Sequence, residues 1–170
     1  MSETSEVRQM LVDSAQRLFA DHVDGKLLTA AKQTGWSAVL WNELEAAELP
    51  RVGVPEEADG AGGSLSDSAA VLRIAARHAA PMPLAETMLA GWLLASAGLR
   101  VPSGPLTVAP VLSNDAISVV KEGSTWRING MLKRVPFARM AKQIVLLKDG
   151  NIFTIDPAQT RITQIGRAHV

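Results

Sequence analysis

Residues 51–67 read RVGVPEEADGAGGSLSD, with Gly53, Gly60, Gly62 and Gly63 crowded around a single proline. Such a run either cradles a phosphate or turns the chain between two helices. Nucleotide-binding loops place their glycines after a buried parallel strand and ahead of a helix, so that backbone N–H groups and the helix dipole meet the anion. Here a helical pattern precedes the loop, with Trp36 and Leu40 on one face and Leu44 beyond, until Pro50 stops it. The pattern is not G-x-G-x-x-G, no G-K-S or G-K-T occurs, and Glu56, Glu57 and Asp59 would repel a phosphate. Glu56 and Glu57 could be imagined as an acid/base pair, but adjacent side chains point apart and a charged surface loop is far commoner. The stretch therefore reads as an interhelix connection, which makes the first half of the chain a helical bundle.

Working outward supports this. Upstream, Val7, Met10, Leu11, Ala15, Leu18 and Phe19 recur at three- and four-residue intervals, the mark of one apolar helical face. A shorter helix covers Lys26 to Gln33. Downstream, Ser64 with Asp67 three residues on forms a capping-box pattern, and Val71, Ile74, Ala75 and Ala79 supply a buried stripe. Arg73 and Arg77 fall on the solvated side of that helix. Pro81-Met82-Pro83 ends it, and Pro83 is placed to start the next, since a proline at the first helical position loses no hydrogen bond. Leu84 to Ala97 is apolar nearly all round, so this helix belongs at the centre of the bundle with Met88 and Trp92 as large core fillers.

Gly98 to Pro105 marks a junction, and the sequence beyond it is strand-like. Leu106 to Leu112 is a short apolar run, Ile117 to Val120 is β-branched, and Trp126 and Ile128 alternate with Arg127 and Asn129. Glu122-Gly123 separates two of these runs, and Asp149-Gly150 sits between QIVLLK and NIFTID, where the positive φ angles of a tight hairpin are needed. The predicted class is α+β: an N-terminal all-α helical bundle over residues 1–102, then an incomplete antiparallel β-domain over 103–164. A sheet without a closing partner exposes strand edges, so the chain alone is expected to be inactive and prone to aggregate.

Composition removes several function classes. The 170 residues carry 17 basic and 17 acidic side chains and a pI near 6.8, so no long-range field draws nucleic acid or an anionic membrane. There is no cysteine and the 3 histidines are scattered, so no metal site is expected. MSETSEV has neither the basic region nor the apolar core of a signal peptide, and the apolar run Met88 to Ala97 is roughly half of what a membrane span requires. A cytoplasmic protein is expected.

Taken together, GVPEEADGAGGSLSDSA (53–69), AAPMPLAET (79–87) and GWLL (91–94) resemble the N-terminal helical domain of the acyl-CoA dehydrogenase family, in which a "lPEeyGGaG" loop joins two helices. WRINGMLK (126–133) resembles the hairpin of that family's middle β-domain. The resemblance implies an oxidoreductase, a flavoprotein with FAD as cofactor, an acyl-CoA substrate oxidised between its α and β carbons, an electron-transfer acceptor and a homo- or hetero-oligomer. In the family a glutamate base removes the α-proton and FAD accepts the β-hydride. That base belongs to a C-terminal helical domain, so no catalytic residue is assigned in this chain. The family's A-x-T-E-P-x-x-G-S-D signature corresponds to LTVAPVLSND (106–115), and its W-I-T-N corresponds to Val135-Pro136-Phe137-Ala138; neither matches, and no flavin ligand is assigned. The divergence resembles family branches that include subunits pairing with a more typical partner. Three readings stand: a piece of a flavin-dependent dehydrogenase of fatty acyl or steroid thioesters, a non-catalytic or half-site subunit of a heteromeric one, and a helical binding module without redox chemistry.

Ile165-Gly166-Arg167-Ala168-His169-Val170 reads as the translation of a common sequencing-library adapter, ATCGGAAGAGCACACGTC, whose next codon is a stop. The expectation is that the natural protein runs on past Thr163 and that residues 165–170 have no function. Reading the source gene beyond Thr163 checks this, and a genomic copy encoding IGRAHV followed by a stop would defeat it.

Overall fold

Three helix starts in this chain, at Asp24, Ser37 and Ser64, are set by side-chain oxygens that accept N–H groups the helix itself leaves unpaired. The computed structural model describes residues 3–111 and 115–163, with side chains from residue 6 onward; the stretch 165–170 lies outside the described residues. The first helix, α1, covers Glu3–His22. Asp24 then accepts from the Leu27 N–H at 2.7 Å and opens α2, Gly25–Thr34, which closes on Gly35 with φ 86°. Ser37 accepts from the Leu40 N–H and opens α3, Ala38–Ala46. The capping box predicted at Ser64 is present and opens α4, Leu65–Arg77. The Asp67 carboxylate accepts from the Ser64 hydroxyl at 2.5 Å and its N–H at 2.8 Å, and Arg8 Nε reaches it from α1 at 2.7 Å. Those hydrogen bonds, the Ser64 pair first, hold its pKa at about 2 against the opposing cost of burial, so the cap stays ionised well into acid.

The first four helices pack as sequence periodicity requires, with four differences. Phe19, Leu40, Leu44 and Val71 are fully buried in one cluster with Trp41, Ile74 and Met82. Arg8 meets Asp67 near the start of both α1 and α4, and the Phe19 and His78 rings stack 6.1 Å apart near their ends, so the two helices run side by side in the same direction. Val7 and Met10, predicted on the inward stripe of α1, are exposed, because the buried part of that helix begins at Leu11. The Ser37 cap starts α3 after Trp36, so the inward tryptophan is Trp41, and Trp36 is only half-buried beside it. Pro50 does not end α3: the helix stops at Ala46, Glu48 turns left-handed at φ 56°, and Pro50 sits in a 3₁₀ turn, Leu49–Arg51. Ala79 likewise lies beyond α4, exposed and left-handed at φ 51°.

The fifth helix, α5, covers Leu84–Ser96 and carries the bundle onto the sheet. Met88 is buried as predicted, whereas Trp92 is 49% exposed and is no core filler. Five strands follow: β1, Leu106–Ala109; β2, Ser118–Glu122; β3, Thr125–Asn129; β4, Gln143–Lys148; and β5, Asn151–Ile155. Both predicted hairpins form, β2 with β3 and β4 with β5, the second around Asp149 and Gly150 at φ 50° and 75°. The class is α+β, and the sheet is mixed rather than purely antiparallel: β1 lies beside β4 in parallel, Leu106 opposite Gln143, in a sheet ordered β1-β4-β5. A parallel pair needs a long crossover, which the β2-β3 hairpin and residues 130–142 supply, and it needs cover on both faces. Leu106 and Val145 face α5 and the loop residues Val54 and Ala58, while Ile144 and Leu146 face Leu132, Val135 and Ala138.

The join between helix and sheet is polar at one point. Thr87, 1% exposed on α5, donates its hydroxyl to the Leu106 carbonyl at 3.0 Å and accepts the Leu106 N–H at 2.9 Å. One side chain thus satisfies both backbone groups of the residue that opens β1. Replacing Thr87 by valine keeps the volume and strands both groups, which should cost about 3 kcal/mol in chemical denaturation, while Thr87→Ser should retain most of the stability. Equal stability of the valine and threonine forms would contradict this role.

Candidate functional site

The glycine-rich loop was the first candidate for anion binding, and its backbone decides the matter. The N–H groups of Ala58 and Gly60 are donated to the Pro55 carbonyl, that of Asp59 to Glu56, and that of Ala61 to Arg51. Gly62 donates to Val54 and Gly63 to Val52, and the Ser64 N–H is taken by Asp67. No N–H from 58 to 64 is left for a phosphate. Glu56 and Glu57 are exposed at the start of a single 3₁₀ turn, Glu56–Ala58, in a surface loop rather than as a catalytic dyad. Asp59 is ion-paired to Arg100 at 2.7 Å, and its carbonyl accepts from Arg51 Nη1 at 3.2 Å.

These contacts make the loop a bracket between the bundle and the sheet. The Ala58 carbonyl accepts the Val101 N–H at 2.9 Å, and Glu45 Oε1 accepts the Gly104 N–H at 2.9 Å. Val54 and Ala58 fill the apolar layer between α5 and the sheet. Two glycines are required by close approach. A Cβ on Gly60 would run into the Val54 carbonyl, and one on Gly63 would stand 2.6 Å from the Val52 carbonyl oxygen.

Residues 106–109 and 135–138, which stand in place of parts of the A-x-T-E-P-x-x-G-S-D and W-I-T-N motifs, lie against one another. Thr107 is fully buried and donates its hydroxyl to the Pro136 carbonyl at 2.6 Å. Val135 and Ala138 turn into the apolar cluster of Ala109, Ile144 and Leu146. Arg134 and Phe137 hold left-handed backbone at φ 56° and 51°, unusual for bulky residues and a mark of a chain held by its packing. Among the described residues of these stretches, the hydroxyl that could meet a flavin is spent on a backbone carbonyl, and no aromatic-amide pair stands where W-I-T-N would place one. Among the described residues, Thr107 and residues 135–138 present no side-chain group of those motifs to a flavin ring. Among the described residues, no group of histidine, cysteine, aspartate and glutamate could hold a metal, and no helix is long and apolar enough to cross a membrane.

Comparison with known proteins agrees with this architecture. Residues 5–100 match the family model described as acyl-CoA dehydrogenase, N-terminal domain. Two curated relatives named acyl-CoA dehydrogenase IpdE2 align with the chain: that of Mycolicibacterium smegmatis is 35% identical over 101 residues, and that of Mycobacterium tuberculosis 37% over 95. The alignments cover 58% and 54% of this chain and 32% and 30% of those proteins, so the chain spans about a third of the length of these relatives. A solved structure titled as a variant of the Tcur3481-Tcur3483 steroid ACAD superposes with a TM-score of 0.77 at 29% identity, covering 90% of this chain and 48% of that one. The ChsE4-ChsE5 complex from Mycobacterium tuberculosis gives 0.73 over 92% of this chain and 48% of that one, and at 18% identity it speaks to fold alone. The chain belongs to the acyl-CoA dehydrogenase family.

Sequence reading found the loop and its cap but missed the two threonines that fasten the layers, Thr87 and Thr107. Thr87 had left a signal, as the one hydroxyl on the inward side of an otherwise apolar helix. The bracket is tested by its tightest glycine. Gly60→Ala should cost roughly 3 kcal/mol in thermal or urea denaturation, whereas Gly25→Ala, with open space around it, should be neutral or slightly stabilising. A neutral Gly60→Ala would show that the loop is not held as described.

Proposed function

We propose that this chain is the helical domain (1–102) and the first part of the β-domain (103–164) of a longer flavoprotein that dehydrogenates acyl-CoA thioesters between the α and β carbons. The observation that carries the reading is the family match over residues 5–100 on a bundle that feeds directly into a sheet. On this reading the general base and the rest of the substrate pocket belong to sequence beyond Thr163, and residues 165–170 are adapter-derived. FAD and an electron acceptor are the parent's partners.

A specific observation favours a second form of the same reading, a subunit whose flavin site depends on a partner chain. The stretches at 106–111 and 135–138 are closed onto each other through Thr107 and Pro136, so the flavin-contacting groups would come from elsewhere. The similar solved structure at 29% identity carries two names in its title, Tcur3481-Tcur3483, which fits a parent that assembles with a second subunit.

The test is flavin absorbance in the full-length parent, purified alone and after co-expression with a neighbouring homologue. Flavin in the parent alone supports a self-contained dehydrogenase, and flavin only after co-expression supports the shared site. Absence of flavin in both preparations would overturn the redox reading and leave a helical binding module.

A further inference from the structure

Residues 131–141 cross one face of the sheet as a strap, fixed at both ends and latched between them by one side chain. At one end Gly130 has φ 139°, and a Cβ there would stand 2.5 Å from the Ala116 carbonyl oxygen. At the other end the Lys142 N–H meets the Pro105 carbonyl at 2.7 Å. The strap forms no strand, and its Met140 and Ala141 N–H groups turn back onto its own Phe137 carbonyl. Among the described residues, the bond from the Thr107 hydroxyl to the Pro136 carbonyl is the only hydrogen bond that ties 131–138 to the sheet. Beneath it, Leu132, Val135 and Ala138 are partly buried against Ala109, Ile144 and Leu146. Thr107 and Ala109 stand opposite Ile144 and Leu146 in the parallel pair, so the strap covers one face of β1 and β4.

The strap is also strained. Arg134 and Phe137 hold left-handed backbone at φ 56° and 51° on either side of Val135-Pro136, a conformation that bulky side chains rarely adopt. Such residues persist where surrounding contacts override the local preference, and they cluster at segments that switch. We propose that 131–141 is a gate over this face of β1 and β4, closed in the structure and able to open on its fixed ends by breaking the Thr107-Pro136 bond. Opening relaxes Arg134 and Phe137 and frees the Thr107 hydroxyl, while it bares Ala109, Ile144 and Leu146 to water. These opposed contributions let the strap open without unfolding of the bundle. The inference concerns residues of this chain alone and holds whether or not the parent carries a flavin.

Lys133, Arg134 and Arg139 are exposed on the strap, so trypsin reads the gate directly. The 170-residue chain and its Thr107→Val variant are digested briefly under native conditions. Cuts after Arg134 and Arg139 are timed by mass spectrometry against the cut after Arg73, in the middle of α4, which follows unfolding of the bundle. Both strap cuts should come several-fold sooner than the cut after Arg73. Thr107→Val cannot donate to Pro136, and it should speed the strap cuts several-fold further while leaving the Arg73 cut unchanged. A threonine that serves stability alone would speed all three cuts alike, and that result overturns the proposal. Strap cuts no faster than the cut after Arg73, or unaltered by Thr107→Val, overturn it as well. A second pair of variants leaves the buried latch intact and decides the matter if Thr107→Val does not fold. Arg134→Gly suits a φ of 56° and should slow the cut after Arg139 several-fold, whereas Arg134→Ala should not. An Arg139 cut as fast in Arg134→Gly as in Arg134→Ala would show that no strain is released on opening, and would overturn the gate.

Discussion

The two hydrogen bonds between Thr87 and Leu106 are the interaction on which the arrangement of the two layers depends. Leu106 opens an edge strand and has no ladder partner on that side, so its N–H and carbonyl would be buried without bonds. The threonine hydroxyl is small enough to sit inside the apolar layer and can both donate and accept. With β1 fixed in this way to α5, β4 can enter alongside it in parallel. The first rung of that pairing continues into the junction, where the Lys142 N–H meets the Pro105 carbonyl at 2.7 Å. Gly91 lets α5 settle this close, since a Cβ there would come within 3.1 Å of Val54 Cγ2.

The glycine-rich loop serves the same join from the other side. It uses glycine for compactness rather than for anion binding: its N–H groups close on its own carbonyls, and its apolar residues Val54 and Ala58 plug the layer beneath α5. Its Asp59 and the carbonyl of Ala58 then grip Arg100 and Val101 in the junction. A segment that lies within the family match thus contributes architecture.

Local chemistry was the legible part. The Ser64 cap, the Asp149-Gly150 hairpin and the apolar stripe through Phe19, Val71 and Ile74 each arise from a few neighbouring residues, and each stands where the pattern puts it. Features that depend on distant partners were not legible. Trp36 and Trp41 are equally good core residues in isolation, and the Ser37 cap determines which one turns inward. The parallel pairing of β1 and β4 joins residues separated by the whole crossover, which no local pattern encodes. Trp92 is the instructive case: its sequence context is that of a buried helix, and the described residues leave it half open. At the stretches that stand in place of the family's flavin motifs, sequence showed that the expected motifs were missing, and the structure added the Thr107 bond to Pro136 and the inward turn of Val135 and Ala138.

The central claim is that bundle, loop and sheet form one cooperative body joined at the Thr87-Leu106 seam. Native-state hydrogen exchange at the seam amides tests it most directly, because Leu106, Val101 and Lys142 donate across the join while Ile74 reports the bundle interior. The account predicts that the seam amides open with the same free energy and the same denaturant dependence as Ile74. Seam amides that exchange rapidly while Ile74 stays protected would contradict it, since the sheet would then be an appendage that the bundle does not need.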